Sequence, residues 1–387
     1  MKSDSFVVKY LSNLIPCTFK LEMGEEQTII GRGVPEFTVT LKEPLDKKKL
    51  LTSTSLALGE EYMKGGIEVD RDLYEVLDKF LGQMGKFTTD RSALRKLLFT
   101  STSKRNQKEE VTSHYDIGND FYRLWLDETM SYSCGYFKTE EDTLYDAQVN
   151  KVHHILEKLH LEEGMTLLDV GCGWGFLLLE ATKMYGVKGV GITLSSEQAK
   201  EFQRRIEAEG LEERLEVRLM DYRELEKSGM EFDRVVSVGM LEHVGRENYP
   251  LFMRNVQGVL KEKGLFLLHC ITAPKENPGD PWIRKYIFPG GTVPSWRELI
   301  GLMPEYGFYL LDVESLRRHY NKTLLCWKEN FEGVREKVVE MMGEEFARMW
   351  ELYLSSCAAT FHNGVIDVDQ FLVSKGVNNE ISLRRVV

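Results

Sequence analysis

The sequence predicts an α/β protein: a doubly wound, mostly parallel sheet with helices on both faces, preceded by a smaller α+β N-terminal domain. Three observations carry this. From residue 146 to 271, short apolar runs of strand length alternate with helical patterns, as in a parallel sheet whose crossovers are helices. Within that region, Leu167-Leu-Asp-Val-Gly-Cys-Gly-Trp-Gly175 sets an apolar run directly before a glycine turn. Upstream, Thr100 to Glu110 contains no apolar residue. A segment that cannot bury anything reads as a linker, here 101–112, between a domain at 1–100 and one at 113–387.

Residues 5–42 hold alternating stretches such as Phe37-Thr-Val-Thr-Leu41, broken by Gly31, Gly33 and Pro35, and are expected to form short strands. From Leu50 to Phe99 the pattern turns helical, interrupted at Gly65-Gly66. Its last segment, Arg91 to Thr100, sets Leu94, Leu97 and Leu98 on one side and Arg91, Arg95 and Lys96 on the other. Such a helix can dock on the protein or lie on a lipid surface. In the second domain a helix at 146–160 leads into a strand at 165–170, and strands follow at 187–192, 215–220, 233–239 and 264–271. Two more, Phe308 to Val313 and Asp367 to Val373, flank a helical insertion from about 321 to 361. In a sheet wound this way, ligands bind beyond the strand C-terminal ends.

Composition narrows the function. A chain of 387 residues, 42% hydrophobic and 29% charged, is expected to be soluble and globular in two domains. No apolar run has membrane-spanning length, and the N-terminus lacks a signal-peptide core. The six cysteines are scattered with no C-x-x-C pair, a pattern of reduced cytoplasmic thiols that argues against a disulfide framework and a zinc site. A net charge of −11 speaks against nucleic acid. Residues 1–100 are nevertheless neutral, with 15 basic and 15 acidic residues. They are the better face toward an anionic membrane.

Gly171, Gly173 and Gly175, between a strand and the helical run from Phe176, make a cradle in which backbone approaches a ligand and helix N–H groups face it. A dinucleotide site would want glycine at 176 and an acid about 20 residues past the first glycine. Position 176 is Phe, and the second strand runs into Thr193. G-x-G-x-G after Asp169 instead resembles S-adenosylmethionine-dependent methyltransferases. At the following strand ends, Asp221 can accept from an adenine amine, Tyr222 can stack on the base, and Thr193 and Gln198 can reach ribose or methionine groups. Glu242-His243 and His269-Cys270-Ile271 end the next two strands, where a carboxylate and an imidazole can converge.

Longer motifs then appear in order: His114-Tyr-Asp-Ile-Gly-Asn-Asp-Phe-Tyr122, Ser131-Tyr-Ser-Cys-Gly-Tyr-Phe137, Gly191-Ile-Thr-Leu-Ser-Ser-Glu-Gln198, Trp282-Ile-Arg-Lys-Tyr-Ile-Phe-Pro-Gly290 and His319-Tyr-Asn-Lys-Thr-Leu324. With them the second domain strongly resembles the cyclopropane-fatty-acyl-phospholipid synthases, relatives of the mycolic acid cyclopropane synthases. Leu58-Gly-Glu-Glu-Tyr-Met-Lys-Gly-Gly-Ile67 looks like the N-terminal domain of the phospholipid branch. The resemblance implies a class I methyltransferase-like sheet. It implies that Tyr132, Ser133, Gly171, Gly173, Thr193, Leu194, Gln198, Asp221 and Tyr222 surround S-adenosylmethionine, and that Cys134, Glu242, His269, Ile271 and Tyr320 hold a bicarbonate ion. Cys357 matches a cysteine long named as an active-site residue of that family, although its Ser-Ser-Cys-Ala-Ala run suits a small buried packing residue.

The implied substrate is unsaturated phospholipid in a bilayer, met by a peripheral, homodimeric protein on the inner face of the membrane. An isolated cis alkene is a weak nucleophile, so the sulfonium methyl must be held close and aligned. Transfer leaves a carbocation, and a base must then take a proton from the new methyl group while water is kept out. Bicarbonate and Glu242 are both candidates for that base. Two other readings stay open: a methyl-branched or unsaturated product of the same cation, and a non-catalytic lipid-binding relative.

Overall fold

Alternating burial along Phe19–Met23 and Thr38–Leu41 builds the centre of the first sheet. The computed structural model describes residues 5–14, 17–83 and 118–382; the expected helix at 91–100, the linker and the start of the His114 motif lie outside them. Strands β1 (Phe19–Met23), β2 (Glu26–Ile30), β3 (Thr38–Leu41) and β4 (Ile67–Val69) lie in the order β2-β1-β3-β4, with β1 and β3 parallel and the other pairs antiparallel. Phe19 stacks on Phe37 at 5.5 Å between ring centroids, and Phe80 meets both edge-on. One expectation is corrected: Ser5–Leu14 is a helix, because the residues it buries, Val7 and Leu11, are one helical turn apart. Another is refined, since after Gly65 (φ +77°) the expected helical stretch contains β4.

This first compact unit is discontinuous. It takes in Met1–Thr88 but also Gly279–Pro289 and Asn321–Val365; the second unit is Thr89–Pro278, Gly290–Tyr320 and Ile366–Val387. The expected boundary, with all of 113–387 in one domain, differs from this partition for a packing reason. On the helix Glu344–His362, Arg348 donates to the carbonyls of Tyr62 (2.6 Å) and Ile67 (2.8 Å) and lies over the Tyr62 ring. Trp282 Nε1 points at Met63 Sδ, 3.3 Å away, and Lys328 pairs with Asp72. The insertion thus finds its partners in the N-terminal segment, far away in sequence.

In the second unit, apolar residues at consecutive positions mark strands covered on both faces. β5 (Thr166–Val170), β6 (Lys188–Thr193), β7 (Leu215–Leu219), β8 (Phe232–Val238), β9 (Leu260–Thr272), β10 (Phe308–Ser315) and β11 (Asp367–Lys375) form a sheet in the order β10-β11-β9-β8-β5-β6-β7. Only β11 is antiparallel to its neighbours. Leu168, Val235, Phe266 and Phe371 point into one core layer, and Leu167, Val236, Leu267 and Leu372 into the other. The chain leaves β5 toward β6 and β7, then returns to β8 on its other side. That switch point opens a crevice at the C-terminal ends of β5 and β8. Among the described residues no helix is long and apolar enough to cross a membrane.

Candidate active site

The glycine turn after β5 is held by its neighbour strand: the N–H groups of Gly171 and Cys172 both donate to the Ile192 carbonyl, at 2.9 and 3.1 Å. Gly171, Gly173 and Gly175 all have positive φ (+88°, +54° and +85°), which side-chain-bearing residues rarely adopt. Gly175 ends the turn and opens the helix Phe176–Tyr185. A cavity sits above this turn. Of the residues expected around the cofactor, Tyr132, Ser133, Asp169, Gly171, Gly173, Gly175, Thr193, Leu194, Gln198 and Tyr222 line it.

The lining is polar where an amino acid or nucleoside would want it. Thr193 Oγ1 donates to Gln198 Oε1 (2.8 Å), which fixes the acceptor end of that amide. Buried Asp169 Oδ1 and Tyr222 OH have no protein partner. Orphaned buried groups are costly unless a guest satisfies them, so the residues present fit S-adenosylmethionine. Burial pushes the Asp169 carboxyl up to about 7. Asp221 behaves differently from expectation. It is not among the lining residues, and both its oxygens engage the Arg223 guanidinium (2.9 and 2.7 Å). An Arg two residues on is a competitor for the carboxylate that strand-end reasoning overlooked.

Sequence reasoning also missed Lys151, Trp174 and Met240, all on the cavity wall. Lys151 left a readable signal: in the helix Leu144–Lys158 it falls on the buried stripe with Ala147, His154 and Lys158.

Beside this cavity the acid and the imidazole are placed by β8 and β9. Glu242, in the single turn Leu241–His243 after β8, accepts the Ile271 N–H at Oε1 (2.6 Å), while its buried Oε2 has no protein partner. Burial raises its carboxyl to about 7. The Ile271 N–H, expected to face an anion, is thus given to Glu242. His269 on β9 meets Gln370 Nε2 through Nδ1 (3.3 Å), and its buried Nε2 has no protein partner. Burial lowers this ring to about 3, helped by the positive charges of Lys151 and Lys158, so it is a neutral imidazole. His243, which does line the cavity, is lowered to about 4 by burial.

The β-ladder ties the remaining residues to the same place. Val368 pairs with Ile271 in register, and its carbonyl accepts the Leu316 N–H (2.8 Å). The Leu316 carbonyl in turn accepts the Tyr320 N–H (3.0 Å) and lies 3.8 Å from the Cys134 sulfur. Glu242, His269, Ile271, Cys134 and Tyr320 therefore hang on one short run of β9, β11 and the strand-to-helix connection. Cys357 is not part of this run. It belongs to the first unit, in the helix Glu344–His362, and burial with nearby Asp280 pushes its thiol up to about 12.

This sheet order, with a glycine cradle at its switch point, is that of a class I methyltransferase. The chain is an enzyme of the S-adenosylmethionine-dependent transferase class. More narrowly, residues 102–371 match the model of the mycolic acid cyclopropane synthetase family, and the chain belongs to that family. Residues 6–92 match a second model, described as a domain of unknown function. The chain is 40% identical to the cyclopropane-fatty-acyl-phospholipid synthase of Escherichia coli K12 over 355 residues, 90% of each chain. It is also 40% identical to a probable fatty acid methyltransferase of Pseudomonas putida over 351 residues, 88% of each. Among solved structures, a mycolic acid cyclopropane synthase complexed with SAH and CTAB aligns at a TM-score of 0.65 and 36% identity, covering 69% of this chain and 98% of that one.

Proposed function

We propose that this chain is a cyclopropane-fatty-acyl-phospholipid synthase, adding a methylene unit across the cis double bond of unsaturated acyl chains on phospholipid. The observation that carries the reading is Glu242: a buried carboxylate beside the cofactor cavity, anchored through one oxygen and unpartnered at the other. A methyltransferase acting on a hydroxyl or amine can also use a base, to take the nucleophile's own proton, whereas closing a ring needs a base that takes a proton from the newly added methyl and is shielded from water. S-adenosylmethionine supplies an electrophilic methyl on a sulfonium. The alkene π electrons would form the new bond to that methyl as its bond to sulfur breaks, the electron pair staying on the departing S-adenosylhomocysteine and a cation being left on the neighbouring carbon of the chain. A proton then leaves the new methyl toward the base, and its C–H electron pair closes the ring.

Orphaned Glu242 Oε2 and His269 Nε2 also suit a small oxyacid guest, able to donate its hydroxyl proton to the carboxylate oxygen and to accept from the imidazole N–H that the Nδ1–Gln370 contact leaves on Nε2. Bicarbonate fits them. Glu242 and His269 would hold it, with Cys134 and the Tyr320 hydroxyl alongside, and it would supply a base that tolerates a neighbouring cation. Ile271 acts through Glu242, by fixing its carboxylate. The name of the Pseudomonas relative keeps a methyl-branched product as the second reading. Incubating the protein with unsaturated phospholipid and methyl-labelled cofactor separates them: a labelled lipid heavier by one methylene, with cyclopropane ring protons in its spectrum, is expected. Labelled lipid without ring protons supports the second reading, and no labelled lipid across varied chains and head groups sinks both.

The enzyme meets its substrate in the cytoplasm, at the inner face of the membrane, through the first unit. Supporting this, the helix Lys47–Thr52 reads Lys-Lys-Lys-Leu-Leu-Thr and leaves Leu51 63% exposed beside its lysines. Because that unit is discontinuous, deleting 1–100 would strip the partners of Asn321–Val365, and point changes are the cleaner probe. Leu51→Glu with Lys48→Glu is expected to weaken binding to anionic vesicles by roughly tenfold with the cofactor affinity intact. Unchanged vesicle affinity would move the contact elsewhere. A homodimer would hold two such faces on one bilayer.

A further inference from the structure

The helix Leu144–Lys158 carries a lysine where a buried apolar residue would be expected. Lys151 is only 4% exposed, yet it lines the cofactor cavity, and its ammonium donates to Ser133 Oγ at 3.0 Å. Three N–H groups sit on that nitrogen, and Ser133 uses one. Asp169, 3% exposed, lines the same cavity with Oδ1 unpartnered. Among the described residues, these two are the only Lys, Arg, Asp or Glu on the cavity wall. A buried cation and a buried anion facing one cavity form a complement to a zwitterion. S-adenosylmethionine carries a zwitterion at one end, its α-ammonium and α-carboxylate.

We infer that Lys151 is the positioning residue for the α-carboxylate of the cofactor's amino-acid end, with Asp169 facing its α-ammonium. The inference rests on the cofactor reading above. Burial brings the Lys151 ammonium down to about 8, partly offset by the charge of Asp127 and, more weakly, of Asp169, and it brings the Asp169 carboxyl up to about 7, partly offset by Lys151. A bound zwitterion would add an opposite charge inside the cavity for each group, a hydrogen-bond donor for Asp169 Oδ1 and an acceptor for the Lys151 ammonium. Ser133 orients the ammonium, which gives the Tyr132-Ser133 pair a role through Lys151 as well as through direct contact.

Three ligands titrated into the full chain by calorimetry test this. S-adenosylmethionine has the carboxylate, decarboxylated S-adenosylmethionine lacks only that group, and 5′-methylthioadenosine lacks the whole amino-acid end. Wild type is expected to prefer the intact cofactor over the decarboxylated one by about ten- to a hundredfold. Lys151→Met is expected to erase that preference while binding 5′-methylthioadenosine within about twofold of wild type, since mutation and ligand truncation remove the same interaction. A variant that keeps the preference, or loses 5′-methylthioadenosine equally, overturns the inference. So does a wild-type chain without the preference, a measurement that needs no variant to fold. Wild type binding none of the three would sink the cofactor reading itself.

Discussion

Replacing Glu242 by Gln is expected to lower turnover by about a hundred- to ten-thousandfold while leaving S-adenosylhomocysteine affinity within about twofold. The substitution keeps volume and an amide oxygen able to accept the Ile271 N–H, so the local fold survives. What it removes is negative charge at Oε2, the atom without a protein partner. Glu242 is not among the residues lining the cavity above the glycine turn, which is why cofactor binding should be spared. The acidic limb of the rate profile has its sign fixed by the same carboxyl. Burial raises it to about 7, so below pH 7 the ionised fraction, and kcat with it, should fall by about tenfold per pH unit. The Gln variant should lose that limb. Equal loss of cofactor affinity would make Glu242 part of the cofactor pocket, and undiminished turnover would remove it from the chemistry.

The strands of the second unit were legible because most carry a short apolar run and Leu215–Leu219 alternates, and every predicted segment overlaps an observed one, as with 187–192 and Lys188–Thr193. The helix Ser5–Leu14 was not, since Ser-Phe-Val-Val-Lys-Tyr-Leu is rich in β-branched and aromatic residues and only tertiary burial of Val7 and Leu11 settles its period. Nor was the discontinuous first unit: nothing local to Arg348 announces that its guanidinium will satisfy carbonyls at Tyr62 and Ile67. In the site, the glycine turn and the places of Glu242 after β8 and His269 on β9 could be read from strand ends. The acceptor of the Ile271 N–H could not, because a backbone donor carries no sequence signature. Lys151 was missed because a lysine in an amphipathic helix is by default assigned to solvent.

The second large effect separates two glycines of one turn. Gly175→Ala is expected to destabilise the protein by about 2–5 kcal/mol, because two costs add. At φ +85° a side chain is strained by about 1–2 kcal/mol, and the new Cβ would lie 2.0 Å from the Phe202 ring. Phe202 cannot yield easily: it is fully buried and packs so tightly over Gly191 that a Cβ there would also collide with it, at 2.9 Å. Gly173→Ala differs in kind. Its Cβ meets no protein atom within 4 Å, and φ is +54°, so the stability cost is about 1 kcal/mol. Gly173 lines the cavity, however, and a methyl group there stands where the cofactor backbone contact is needed. Thermal unfolding and S-adenosylhomocysteine titration on both variants read the difference. Gly173→Ala should unfold near wild type and bind at least about tenfold more weakly. Gly175→Ala should unfold early, and adding Phe202→Leu should recover part of the loss by opening room at the ring. If Gly173→Ala binds as wild type does, the cofactor does not approach the backbone at this turn, and the cradle is a device for folding alone.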